Sequence, residues 1–229
     1  MKPTLIVQNC QVESPGTIVD WLKAMQRPFD IVHSYEGQQL PNVDDIGAVI
    51  SLGSPIPVNE YARHEFLQRV FDFTTDAVRA SVPYLGICLG GQMLARVLGT
   101  EVKRNKTKEI GVCTVKLTQE GATDSLFSGF EKEFRVFQWH ADTFDLPAGA
   151  TLLATSDVCR NQAFRLGNAV AIQFHLEAVP SEIPIWCEAY HDELSGEGLS
   201  QSVVVADYNE AFGAVKKMAF RFLDSFFEL

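Results

Sequence analysis

PYLGICLGGQML, residues 83–94, changes character in its middle. The segment up to Cys88 reads as a short buried strand, and Gly90 onward reads as a helix stopped by Gly99. Cys88 sits at the joint, two residues from Gly86 and two from Gly90. A sharp strand-to-helix turn forces an unusual backbone on its central residue, and its neighbours must be small so that the helix start can pack on the strands. The turn either displays the sulfur at a helix N-terminus, where free N–H groups and the dipole favour thiolate, or is a Gly-rich bend holding an ordinary buried cysteine. On these residues alone both readings stand.

Working outward, TLIVQN (4–9), FDIVHSY (29–35) and IGAVISL (46–52) read as buried strands. SPGTIVDWLKAMQ (14–26) reads as a helix capped by Ser14 with Pro15 in its first turn. From Glu60 to about Ala80, the spacing of Phe66, Val70, Phe73, Ala77 and Val78 predicts one face of a helix. Alternating strands and helices predict an α/β fold whose first half carries a largely parallel sheet. EVKRNKTKE (101–109) reads as a solvated loop. Beyond it, EIGVCTVKLT, EFRVFQWHAD, TLLATS, NQAFRLG and NAVAIQFH are strand-like with few helices between them, so the sheet should be mixed. Tyr208 to Phe227 repeats apolar residues every three or four positions, which predicts a long closing helix. No linker divides the chain, so we expect one domain over residues 1–229 with a helical C-terminal extension from about 180.

Composition excludes several partners. The net charge is −10 over 229 residues, against the basic footprint that nucleic acid or anionic lipid requires. No apolar run approaches the roughly 20 residues that span a bilayer, and the N-terminus lacks a signal-peptide pattern, so a cytoplasmic protein is expected. Cys10, Cys88, Cys113, Cys159 and Cys187 are odd in number and scattered, which favours reduced thiols. Neither a phosphate loop nor metal-ligand spacing is present, and no cofactor or metal is expected.

A nucleophilic cysteine needs a base. In AIQFHLEA (171–178), His175 and Glu177 are two apart, so on a strand they share a face and the carboxylate can orient the imidazole. The plainer alternative is a histidine that ends a core strand. Acyl chemistry also needs oxyanion donors. The Leu89 N–H, directly after the cysteine, is one. The Gly53-Ser54-Pro55 turn in ISLGSPIPVNE (50–60) offers the Ser54 N–H as the second, although it also reads as an ordinary loop. Phe137, Trp139 and Phe174 read mainly as core, and His140 as a substrate contact or a structural hydrogen bond.

GICLGGQMLA followed by QFHLEA resembles the class I glutamine amidotransferase (triad glutaminase) family, in the subgroup similar to the glutaminase domain of GMP synthase, over roughly residues 4–178. LGSP sits where that family has its oxyanion turn. The resemblance implies a three-layer fold with helices on both faces of a central mixed sheet. It implies hydrolysis of glutamine through a cysteinyl thioester, with Cys88 as nucleophile, His175 as base and Glu177 as orienting carboxylate. Substrate contacts would come from Gly53, Gln92 and the strip Gln138–Trp139–His140. Three positions depart from the family: Gly91 where many members have histidine, Ser54 where glycine is common, and Leu176 where proline is usual. The acidic stretch CEAYHDELSGEGLSQS (187–202) has no assigned role. The chain has no room for an acceptor domain, so the resemblance implies a stand-alone hydrolase acting on glutamine or a γ-glutamyl compound, with a separate synthetase subunit as partner for the ammonia. The alternatives are a γ-glutamyl peptide hydrolase and a catalytically silent binding or regulatory protein of the same fold.

Overall fold

A computed structural model describes residues 1–229. Strand β1 (Thr4–Gln8) leads through helix α1 (Gly16–Ala24) to β2 (Phe29–His33) and β3 (Ala48–Ser51). Helix α2 (Glu65–Arg79), strand β4 (Tyr84–Ile87) and helix α3 (Leu89–Val97) come after β3. Five strands come next: β5 (Val102–Leu117), β6 (Glu133–Phe144), β7 (Thr151–Thr155), β8 (Ala163–Leu166) and β9 (Ala169–Ile172). Helices α4 (Ile183–Ala189), α5 (His191–Gly196) and α6 (Gln201–Phe226) end the chain.

All nine strands form one sheet, ordered β2-β1-β3-β4-β9-β8-β7-β5-β6. The pairs from β2 to β9 are parallel, and those from β9 to β6 are antiparallel. The last strand in sequence inserts beside β4, so the approach to His175 runs alongside the strand that delivers Cys88.

Alternation along the parallel strands builds two cores. Ile6, Ala48, Ile50, Leu85, Ile87, Val170 and Ile172 face α1 and α6, whereas Leu5, Val7, Val49, Tyr84, Ala169 and Ala171 face α2 and α3. A strand covered on both sides needs apolar residues at every position, which is why these segments read as continuous apolar runs. The result is a three-layer α/β fold. Helix α6 buries Tyr208, Ala211, Val215, Ala219, Phe222 and Phe226 along one stripe, and each large apolar side chain contributes about 1.5–3 kcal/mol. Tyr208 Oη donates to the Ala178 carbonyl at 2.7 Å, tying this helix to the segment after His175.

Several boundaries differ from the pattern reading. Helix α1 starts at Gly16 with Pro15 as its N-cap. Ser14 lies one residue earlier, where its hydroxyl accepts the Gly16 N–H and donates to Glu182. In α2 the buried face is Leu67, Val70, Phe73, Thr74 and Ala77, so Leu67 takes the place expected for Phe66. Residues 101–109 are not a loop. Val102–Arg104 pair with Asp142–Phe144, and the register shifts before Glu109. The charged residues of this segment lie mainly exposed, which hides a strand from any hydrophobic pattern. Residues 187–202 fold into the end of α4, α5 and the start of α6.

Candidate active site

The bend at Cys88 is as tight as its glycines imply. Cys88 has φ 51° and ψ −110°, a left-handed backbone that costs a non-glycine residue on the order of 1–3 kcal/mol. A Cβ on Gly86 would lie 2.3 Å from the Gly90 carbonyl oxygen, and one on Gly90 would lie 2.1 Å from that of Ser51. Both positions must therefore lack a side chain. The amide of Cys88 is tied to the Ile172 carbonyl at 2.9 Å, which joins the bend to β9. Its sulfur sits at the N-terminus of α3, 3.8 Å from the Trp139 carbonyl oxygen. First-turn N–H groups, that of Leu89 among them, have no acceptor within the helix.

His175 and Glu177 come together by a route other than strand alternation. Strand β9 stops at Ile172, and His175 is held by an isolated antiparallel bridge to Phe137, with its N–H on the Phe137 carbonyl at 2.9 Å. The Nδ1 of His175 lies 2.6 Å from Glu177 Oε1. Trp186 of α4 packs edge-on against the imidazole, with centroids 4.9 Å apart. Both residues are buried, and His175 Nε2 and Glu177 Oε2 have no hydrogen-bond partner.

These contacts set the proton affinities. Burial pulls the His175 pKa down, but the Glu177 carboxylate and the adjacent Cys88 sulfur outweigh it and lift His175 well above the usual imidazole range. Burial pushes the Cys88 thiol up, and His175 draws it back only in part. Desolvation is thus the largest influence on this thiol, and His175 is the group that opposes it.

Cys88 opens on a cavity of about 280 Å³, lined among others by Glu13, Ser54, Gln92, Trp139, His140 and Tyr190. The Ser54 N–H makes no hydrogen bond within the protein, while its hydroxyl accepts the Ile56 N–H. Gln92 donates to Gln173 and to the Asp142 carbonyl. Gly53 lies just behind the cavity, where a Cβ would stand 2.0 Å from Glu13 Oε2 and 3.3 Å from His175 Cε1. Gln138 does not line the cavity. Its side chain turns away and donates to Gln162 at 2.9 Å. His140 presents Nε2 to Glu109 at 2.9 Å and Nδ1 to the Asp142 carbonyl at 2.9 Å. Glu109 also accepts from Ser156 at 2.8 Å and from Gln162 at 2.6 Å. Glu109, His140 and Cys159 place ligand-type atoms within 4.8 Å of one another. Both Glu109 oxygens and both His140 nitrogens are already bonded, so the cluster is a closed polar network.

Pattern reading missed Glu13 and Tyr190. Tyr190 Oη donates to Glu13 Oε1 at 2.9 Å, and Glu13 Oε2 is unpartnered. Burial raises the Glu13 pKa, against the pull of nearby His175 and the hydrogen bond from Tyr190. A lone acid between a strand and a helix gives no sequence signal, and its partner arrives 177 residues later.

Comparison with known proteins identifies the family. A family model described as glutamine amidotransferase class-I matches residues 20–184. The glutamine amidotransferase-like protein YfeJ of Salmonella typhimurium is 33% identical over 172 residues, which cover 72% of this chain and 71% of that one. A glutamine-hydrolyzing GMP synthase subunit of Saccharolobus solfataricus is 32% identical over 160 residues, or 62% of this chain and 84% of that protein. A solved glutamine amidotransferase of Thermotoga maritima superposes over the full length of both chains with a TM-score of 0.92 at 31% identity. The span matched by the family model runs from β2 to β9 and holds the cysteine bend and the His–Glu pair together, and this chain belongs to the class I glutamine amidotransferase family.

Proposed function

We propose that the protein hydrolyses the side-chain amide of glutamine, or of another γ-glutamyl amide, through a thioester on Cys88. One observation carries this reading: His175 is anchored by Glu177 at Nδ1, its Nε2 is unspent, and it lies near enough to Cys88 for each to shift the other's proton affinity. That is the orienter–base–nucleophile order of a triad. His175 takes the thiol proton, and the sulfur attacks the amide carbon. The Ser54 and Leu89 N–H groups hold the oxyanion, each worth roughly 3–4 kcal/mol in the transition state. His175 returns the proton to the leaving nitrogen, the C–N bond breaks, and water activated by His175 then cleaves the thioester to glutamate. Gln92 and the strip Trp139–His140 would hold the rest of the substrate; for Gln138 only the backbone serves, because its side chain is engaged with Gln162. Relatives named as one subunit of a glutamine-hydrolyzing GMP synthase support a separate acceptor subunit for the ammonia.

A second substrate reading is favoured by the cavity rim. Arg104, Lys108 and Glu193 line it, and such charges suit a γ-glutamyl peptide, whose leaving group carries charges of its own. Ammonia release from glutamine and amine release from γ-glutamyl peptides should be measured side by side with wild type and Cys88→Ala. Cys88→Ala is expected to abolish both. Wild type that neither turns over nor is labelled at Cys88 by a glutamine-mimicking electrophile would instead mark a catalytically silent binding protein.

A further inference from the structure

Glu13 is the one acidic side chain at the floor of the cavity that neither belongs to the His–Glu pair nor forms an ion pair. It is 4% exposed. Tyr190 fixes one oxygen, and the other has no partner. That free oxygen lies against Gly53, at the start of the oxyanion turn, and on the Cε1 side of His175. Cε1 lies between the two ring nitrogens, one on Glu177 and the other beside Cys88. A buried carboxylate oxygen without a donor costs free energy, and no protein group supplies a donor to this one, so it can accept an N–H from a bound molecule. The atom delivered to this corner during acylation is the scissile nitrogen, because it must approach His175 Nε2 to receive its proton.

We propose that Glu13 is a catalytic residue that grips the leaving nitrogen, accepting an N–H of the scissile amide and of the amine as it departs. This rests on the Cys88 thioester reading above. In the step concerned, the C–N bond breaks with its electron pair going to nitrogen. The proton that His175 took from the thiol passes to that nitrogen, and the acyl carbon stays on Sγ. Nitrogen leaves as ammonia or a neutral amine, donating an N–H to Glu13 Oε2 throughout. Tyr190 is a positioning residue: it holds the carboxylate in place by occupying Oε1.

An ester gives the same acyl-enzyme without any N–H on the leaving atom, so it isolates the effect. Acylation rates of wild type, Glu13→Gln and Tyr190→Phe are compared on glutamine and on glutamate γ-methyl ester, read as ammonia or methanol release or as the Cys88 acyl adduct by mass. Glu13→Gln should lose about 10- to 100-fold in kcat/KM on the amide, the scale of a hydrogen bond to a charged group, and keep its ester rate. Tyr190→Phe should show the same selectivity with a smaller loss, with its Tm reporting that the fold is intact. Equal losses on amide and ester, or none on either, would overturn the proposal. So would an amide loss that disappears with 4-carbamoylbutanoate, since Glu13 would then be reading the α-ammonium group. Wild type that acylates from neither substrate overturns the thioester reading and this one with it; selective behaviour of the variants bears on Glu13 alone.

Discussion

His175 and His140 are each buried against a glutamate, and the two pairs are finished differently. Within the His140–Glu109 pair every polar atom is spent: Glu109 takes three donors, and both ring nitrogens face acceptors. Around His175 the pair is left open, with Nε2 and Glu177 Oε2 unpartnered and Glu13 Oε2 likewise. Satisfied polar groups rigidify a core, whereas unsatisfied ones cost stability and persist where chemistry needs them. The contrast sets the two histidines apart: His140 fits a scaffold role, and His175 fits the base of the proposed reaction.

The sharpest way to break it is His175→Asn. Asparagine keeps an N–H for Glu177 but has no nitrogen that accepts a proton. Hydrolysis of a γ-glutamyl amide should fall by about 10³- to 10⁴-fold while the protein stays folded by circular dichroism. Glu109→Ala should do the reverse. Removing one partner of a buried pair costs roughly 3–5 kcal/mol, read as a lower urea midpoint, while labelling of Cys88 in the folded protein continues. Activity lost without loss of stability would move Glu109 into the reactive centre.

A finer test uses pH. Because His175 binds its proton more tightly folded than unfolded, its contribution is complete below about pH 6.5 and is lost as pH climbs through the raised value. Wild type should therefore lose Tm with rising pH more steeply than His175→Asn. Glu182, lifted to about 7 by burial, adds a slope of the same sign to both proteins and cancels in the difference, whereas Glu13 and Cys88, which His175 holds down, rise in His175→Asn and narrow it. Parallel Tm curves would show that the neighbours of His175 do not raise its proton affinity.

Legibility followed the range of the interaction. The bend is readable because Gly86, Cys88 and Gly90 obey a steric rule within five residues, and the His175–Glu177 contact because only Leu176 stands between the partners. The parallel strands were readable because burial on both faces leaves continuous apolar runs. Glu13 with Tyr190, and Glu109 with His140, are long-range polar pairs whose partners carry no shared periodicity. The first third of β5 was hidden for another reason: backbone pairing holds it in place while lysine and arginine side chains remain in water.

Tyr190 and Glu193 reach the cavity from the junction of α4 with α5, a part of the chain that supplies neither the cysteine, the imidazole nor its carboxylate. One part of the cavity wall is thus encoded well after the bend and the His–Glu pair. A substitution at Glu193 changes that wall without touching the bend, where Gly86 and Gly90 leave no space for a side chain.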